Sequence, residues 1–189
     1  MVSVLIVFTI LGLWAMMRGD LNPNHQIGDR IDSLNNVIVY YNGPISNVSG
    51  RNLSENGYNL GLKYQCVEFV KRYYYEQLDH KMPNSYGHAK DFFNPGVKDG
   101  QVNADRALTQ FSNPSGTKPR SDDLLIFSGT FANKFGHVAI ISEVRENEIE
   151  IIQQNTGSYG ESRETFQLEN KDGKWSIENN RILGWLRKK

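Results

Sequence analysis

A single helical pattern among short strand-like runs constrains the fold of this chain more than any other feature. Between residues 65 and 78, apolar residues recur every three or four positions, and the charged residues fall largely opposite them: Glu68, Lys71, Arg72 and Glu76. Runs typical of strands lie at 37–41, 123–127, 136–144, 148–154, 165–168 and 182–186. One helix packed on an antiparallel sheet predicts an α+β domain.

The segments between these runs are rich in Gly, Asn, Ser and Pro. We expect loops at 42–62 and 94–121 and a weaker helix at 85–93. Residues 18–36 are also polar and predict a linker, which leaves one domain over 37–189.

The N-terminal residues 1–17 differ from the rest of the chain. Residues 2–17 carry no charge, and as a helix they would span roughly 24 Å, against roughly 30 Å for a bilayer core. No basic residue precedes the run, and no cleavage motif is evident before Arg18. We expect an apolar N-terminal helix that anchors the chain in a membrane. The alternatives are a cleaved signal peptide, which would give a secreted or periplasmic protein, and a buried helix of the domain.

Charge and cysteine content exclude two classes of protein. The 21 basic and 21 acidic side chains cancel, so no excess positive charge is expected to attract nucleic acid. With the single cysteine Cys66, no disulfide within the chain can support the fold. That thiol is either a small buried hydrophobic group or a reactive one, and its neighbours decide between the two.

Cys66 lies at the start of the predicted helix. The free N–H groups and the dipole there favour a thiolate and could hold an oxyanion. A thiol nucleophile needs a base, and His137, which follows Gly136 and opens an apolar strand, is the best placed of the four histidines. The alternative for His137 is an ordinary structural role.

The following strand offers an amide that could orient the histidine. Alternation puts Gln153 and Asn155 on one face, and the carbonyl of either could hold the His137 ring in the tautomer of a base. These amides could instead simply end the strand. Gln65, just before the cysteine, either helps an oxyanion site or starts the helix, and we slightly favour the helix start.

Four short blocks, in this order along the chain, resemble the CHAP family of papain-like cysteine amidases: Tyr64–Phe69, Gly136–Ile141, Gln153–Asn155 and Ile182–Trp185. The likeness is greatest to the amidase domain of glutathionylspermidine synthetase/amidase. It implies a papain-like core of the NlpC/P60 type, in which the cysteine-bearing helix packs on an antiparallel sheet. No cofactor is implied, and no metal motif is present in the sequence.

The resemblance also implies catalytic roles. Cys66 corresponds to the nucleophile, His137 to the base and Gln153 to the third catalytic residue, with Asn155 and Gln65 in support. The family commonly has Glu at the third position, and a neutral amide stabilises an imidazolium less than a carboxylate does.

The implied reaction is hydrolysis of an amide bond through an acyl-thioester intermediate. The expected substrate is a glutathione–polyamine-type amide or a peptidoglycan peptide of the cell wall. The alternatives are a weak or inactive CHAP-fold binding module anchored to a membrane, motivated by Gln153, and a structural membrane protein. No nucleic-acid partner is expected, and contact with the membrane is expected through residues 2–17.

Overall fold

A curled antiparallel sheet with one α-helix against it forms the body of the described protein. The computed structural model describes residues 22–189. The apolar run 2–17, expected to be a helical anchor, lies outside that range and stays a prediction. Within 22–189, no helix combines the length and apolarity needed to cross a membrane.

The helices and strands of this range run in the following order: β1 (Arg30–Leu34), β2 (Val37–Tyr40), β3 (Arg51–Leu53), β4 (Asn59–Leu62), α1 (Cys66–Leu78), a 3-10 helix (Ala89–Phe92), β5 (Gln101–Asn103), β6 (Leu108–Ser112), β7 (Leu124–Phe127), β8 (His137–Val144), β9 (Glu148–Ile152), β10 (Arg163–Lys171), β11 (Lys174–Ile177) and β12 (Ile182–Arg187).

Eight strands form the main sheet in the order β11-β10-β9-β8-β7-β12-β6-β5, and each pairing in it is antiparallel. An isolated bridge between Ser115 and Trp175 joins the segment after β6 to β11, so the sheet curls back on itself. Two small hairpins, β1-β2 and β3-β4, lie outside the main sheet, and β2 and β4 contact α1.

The main sheet separates two apolar cores. On one face, α1 contributes Phe69 and Tyr73, which pack with sheet residues such as Ile140. On the other face, the curled sheet buries its own side chains, including Trp185 and Ile151. Because β7 is buried on both faces, its sequence is an unbroken apolar run. The predicted α+β class, with one helix on an antiparallel sheet, is confirmed for residues 22–189.

The helix is found where the sequence predicts it, but its charged residues are not all exposed. Of the four charged residues that fall opposite the apolar face, Glu76 is exposed, whereas Glu68, Lys71 and Arg72 are buried. The reason is that β2 and β4 cover the side of α1 that faces away from the main sheet. The buried ammonium of Lys71 donates to the Ser85 carbonyl oxygen (2.8 Å), which offsets part of its desolvation.

Several strands occupy segments that the sequence predicts as linker or loop. β1 lies inside the linker 18–36, β3 and β4 lie inside the loop 42–62, and β5 and β6 lie inside the loop 94–121. The weaker helix expected at 85–93 is only the four-residue 3-10 helix. The linker prediction fails because Asn35 (φ 47°) and Asn36 (φ 67°) form a tight turn with two left-handed residues, which pairs β1 with β2.

Candidate active site

Cys66 is the first residue of α1 and is buried. Gln65 precedes it with an extended backbone (φ −80°, ψ 158°), so the first N–H groups of α1 have no acceptor within the helix. Strand β4 approaches this end of α1 closely: a Cβ on Gly61, whose φ is +134°, would lie 3.1 Å from the backbone N of Glu68. The thiol thus lies among free N–H groups at a tightly packed helix start, where an oxyanion could be held.

His137 is the first residue of β8 and bonds to Gln153. Gly136 (φ +75°) lets the chain enter the strand here, because a Cβ would lie 2.5 Å from the Phe127 carbonyl oxygen. The Nε2 of His137 is 2.9 Å from Oε1 of Gln153. Since Nε2 of Gln153 donates to the Glu161 carbonyl (3.3 Å), its Oε1 accepts from His137. The other ring nitrogen, Nδ1, is then unprotonated and able to accept a proton.

Asn155, the second amide that the sequence offers as a partner for His137, bonds instead to Gln65 and Ile45. Its φ is +66°, and its Nδ2 donates to Oε1 of Gln65 (2.6 Å) and to the Ile45 carbonyl (3.1 Å). Gln65 in turn donates to the carbonyls of Ile45 (3.3 Å) and Asn47 (2.6 Å) and makes no side-chain cap for the helix. The side chain of Gln65 therefore ties the start of α1 to the 42–50 loop, and both of its N–H donors are already used.

Gln154 joins these parts, although no pattern in the sequence points to it. It is 1% exposed; its Oε1 accepts from the Tyr40 N–H (2.8 Å), and its Nε2 donates to the Gln65 carbonyl (3.0 Å) and to Oε2 of Glu68 (2.9 Å). Glu68 also forms a buried ion pair with Arg72 (2.7 Å). The hydrogen bonds of Gln154 therefore connect the 153–155 segment, which bonds to His137, to the helix that carries Cys66.

Burial opposes charge on both central groups. It raises the pKa of the Cys66 thiol to about 11, although the backbone N–H groups of Val138, Val67 and Cys66 act to lower it. It lowers the pKa of His137 to about 4, against the opposing effect of the Gln153 hydrogen bond and with a further lowering from the positive charge of Arg181. A neutral thiol and a neutral imidazole are therefore the resting forms.

The thiol and the imidazole are neighbours that are not hydrogen-bonded to each other. Cys66 interacts with the N–H of Val138, the residue next to His137. The His137 ring bonds to Gln153 and, within residues 22–189, not to the thiol. Catalytic hydrogen bonds are often long in unliganded enzymes and tighten when substrate binds. No three His, Cys, Asp or Glu side chains converge on a metal site in the described range.

Comparison with known proteins assigns the family. Residues 55–155, more than half of the chain, match the family described as CHAP domain. The chain belongs to the CHAP family. The matched segment includes Cys66, His137 and the Gln153–Asn155 triplet, and membership supports a hydrolase of the amidase or peptidase type. The catalytic roles of the individual residues remain predictions.

Two curated relatives come from Crithidia fasciculata. Trypanothione synthetase is 30% identical over 135 residues, which are 68% of this chain and 20% of that protein. Glutathionylspermidine synthase is 29% identical over 140 residues, 67% of this chain and 19% of that protein. The chain therefore spans about a fifth of the length of these relatives.

Among solved structures, the crystal structure of Ly7917 with the hydrolyzing product of MDP matches 40% of this chain and 30% of that one. The sequence identity is 19% and the TM-score is 0.29, and a likeness of this size carries no argument.

Proposed function

We propose that this protein is a cysteine amidase in which Cys66 is the nucleophile and His137 the general base. The observation that carries the proposal is the 2.9 Å contact between His137 Nε2 and Gln153 Oε1, which leaves Nδ1 as a proton acceptor. Cys66 stands beside Val138, the neighbour of His137, at a helix start with free N–H groups. Membership in the CHAP family supports the same class of reaction.

The reaction proceeds in two halves. In the first, Nδ1 of His137 takes the thiol proton as Sγ attacks the carbonyl carbon of the amide, and the N–H groups of Cys66 and Val67 hold the oxyanion. His137 then gives its proton to the leaving nitrogen, the C–N bond breaks, and an acyl-thioester and a free amine result. In the second half, His137 deprotonates a water that attacks the thioester, which releases a carboxylic acid and restores the thiol.

A glutathione–polyamine amide is the substrate class we favour. Two relatives bear names that refer to such conjugates, glutathionylspermidine and trypanothione. A polyamine is a cation, and the exposed residues Glu161 and Glu164 lie next to Gln153, with Glu164 Oε2 3.4 Å from its Nε2. These carboxylates would attract a cationic leaving group to the site. A peptidoglycan peptide is the second substrate class, favoured by the uncharged run 2–17.

A catalytically weak binding module is the competing function. It is favoured by Gln153 in place of the family's usual Glu, and by burial, which opposes both the thiolate and the imidazolium. Such a protein would bind the same amide without cleaving it.

Amine release from defined substrates tests the proposal. The full chain is incubated separately with glutathionylspermidine and with a peptidoglycan stem peptide, and new primary amines are identified by mass spectrometry. We expect turnover of glutathionylspermidine that Cys66→Ala and His137→Ala abolish and that His88→Gln, at an exposed histidine, retains. Binding of either compound without any release would favour the binding module. Turnover that survives Cys66→Ala would refute the cysteine mechanism.

A further inference from the structure

Three loop tips carry no charge at the end of the molecule that holds the candidate active site, although Glu161, Glu164 and Arg181 also lie at this end. Three segments form these tips: 42–50, 128–133 and 155–160. None contains Asp, Glu, Lys or Arg, and each projects apolar side chains into solvent. Ile45 is 48% exposed, Val48 56%, Phe131 108% and Tyr159 72%.

These three segments share one end of the sheet. Because β7 and β8 are antiparallel and Phe127 pairs with His137, the 128–133 segment leaves the sheet where the candidate active site begins. The 155–160 segment follows Gln153 and Gln154, and the 42–50 loop is joined to it through the Ile45 carbonyl and Asn155 (3.1 Å).

The opposite end of the sheet has a different character. The turn between β8 and β9 contains Arg145 and Glu146, the turn between β10 and β11 contains Lys171 and Asp172, and the chain ends there in Arg187-Lys188-Lys189. Charged turns suit contact with water, whereas the uncharged tips with exposed aromatic rings are the kind of surface that a bilayer interface accepts.

The start of the described chain is fixed to the same end of the molecule. Asn22 Nδ2 donates to the Ser158 carbonyl (2.6 Å), and the rings of His25 and Tyr41 are 5.2 Å apart. Only residues 18–21 lie between Asn22 and the uncharged run 2–17. Even fully extended, the chain from residue 17 to Asn22 reaches at most roughly 18 Å.

We propose that the uncharged run 2–17 anchors the chain in a bilayer and that this end of the molecule, with its tips at Ile45, Val48, Phe131 and Tyr159, docks on the surface of the same bilayer. The short connection holds the tips within reach of the headgroups, and their apolar side chains enter the interface. Lys134, at the base of one tip, then meets anionic headgroups. The candidate active site then lies beside the membrane. The proposal rests on the anchor and on the exposed tips, and it does not depend on whether the site is catalytic.

Site-specific fluorescence on the full chain tests this docking. In a Cys66→Ser background, single cysteines are introduced by Val48→Cys, Phe131→Cys and Tyr159→Cys and labelled with the environment-sensitive fluorophore NBD. Val102→Cys is the matched control, because Val102 is also a valine and is 48% exposed on β5, away from the tips. Glu146→Cys reports on the opposite end. Each protein is reconstituted into vesicles of phosphatidylcholine and phosphatidylglycerol (3:1), with and without headgroup-nitroxide lipid.

We expect a blue-shifted emission and several-fold stronger nitroxide quenching at 48, 131 and 159 than at 102 and 146. Equal quenching at all five positions would overturn the proposal, as would a chain that does not sediment with vesicles. A shift at the tips caused by soluble peptidoglycan fragments and not by lipid would also overturn it, because the tips would then be a glycan surface. Unfolding temperatures of the labelled variants confirm that each is folded.

Discussion

The two central side chains are governed by burial at the residue scale. With the pKa of Cys66 raised to about 11 and that of His137 lowered to about 4, the ion pair expected of an active cysteine hydrolase is disfavoured in the unliganded protein. In the proposed mechanism, proton transfer from the thiol to the imidazole is therefore coupled to attack on a bound substrate and does not precede it. The neutral Gln153 is consistent with this state, because it orients the ring without stabilising an imidazolium.

Alkylation of Cys66 measures this resting state directly, and the single cysteine makes the label unambiguous. Since burial moves the thiol pKa from 9.0 to about 11, the thiolate fraction at pH 7 falls roughly a hundredfold. The iodoacetamide rate should be correspondingly low at pH 7 and rise about tenfold per pH unit until near pH 11. Protein unfolded in urea is the control and should label as an ordinary thiol. Fast, pH-independent labelling below pH 8 would instead mean a preformed thiolate–imidazolium pair.

Restoring the family's carboxylate at the third position should favour the charged histidine. Gln153→Glu alone sets two carboxylates against each other, because Glu164 Oε2 is 3.4 Å from Nε2 of Gln153. We therefore expect little gain from this variant and a larger one when it is combined with Glu164→Gln. A rise of about one unit in the pKa of His137 corresponds to roughly 1.4 kcal/mol.

The combined variant should label with iodoacetamide about tenfold faster at pH 7 than the wild type. Glu164→Gln by itself is the control and should change the rate little, because Glu164 is exposed. A combined variant no faster than the wild type would show that the third position does not set the charge on His137.

At the scale of elements, hydrogen bonds between α1 and the Gln153–Asn155 segment position the two halves of the candidate site. Each residue of the triplet has a different partner: Gln153 bonds to His137, Gln154 bonds to Glu68, and Asn155 bonds to Gln65. The helix that carries the thiol and the segment that orients the imidazole are held together by buried amides. Their separation is set by hydrogen bonds as well as by apolar packing.

Gln154→Leu tests this link at nearly constant volume. The substitution removes the three hydrogen bonds of the Gln154 side chain. The Tyr40 N–H then loses its acceptor, and Oε2 of the buried Glu68 loses its donor. We expect a loss of about 1–3 kcal/mol in the free energy of unfolding, measured in urea, and a fall in kcat/KM. Gln167→Leu, at an exposed residue of β10, is the matched control. Unchanged unfolding and turnover in Gln154→Leu would mean that the link positions nothing.

Strong local patterns were sufficient to predict several elements from the sequence. The helix at 65–78 and the apolar runs of β7 and β8 stand where predicted because periodicity and burial agree there. β11 was missed although Asp172 (φ 53°) and Gly173 (φ 78°) form a typical hairpin turn, and that Asp-Gly pair is the signal that could have found it. The hairpin β3-β4 carries a similar signal in Asn56-Gly57, where Gly57 has a φ of 79°, but its short strands show no apolar alternation, and β4 packs against α1.

The candidate site could be predicted only in part, for a related reason. Alternation identified the face that carries Gln153 but could not choose between it and Asn155, because the choice depends on the left-handed backbone of Asn155. The sequence does not point to Gln154 or Glu68, because an amide after a strand and a charged pair on a helix are ordinarily solvated. Only the tertiary contact of β2 and β4 with α1 makes these residues part of a buried network.

At the scale of the whole molecule, the chain belongs to the CHAP family, and its sheet curls to bury its second face. The part of this chain that matches the two relatives covers only about a fifth of their length, so the reaction of this chain must be established on the chain itself. In the proposed reaction, Cys66 forms a covalent bond to the acyl part of an amide substrate.

Acid-quenched intact-protein mass spectrometry detects this covalent bond. The full chain is mixed with glutathionylspermidine and stopped within its first turnover. We predict an added mass equal to the glutathionyl group, located on the peptide that contains Cys66, formed together with one equivalent of free spermidine and absent in Cys66→Ala. Release of spermidine with no adduct at any time, or with undiminished rate in Cys66→Ala, would contradict the account.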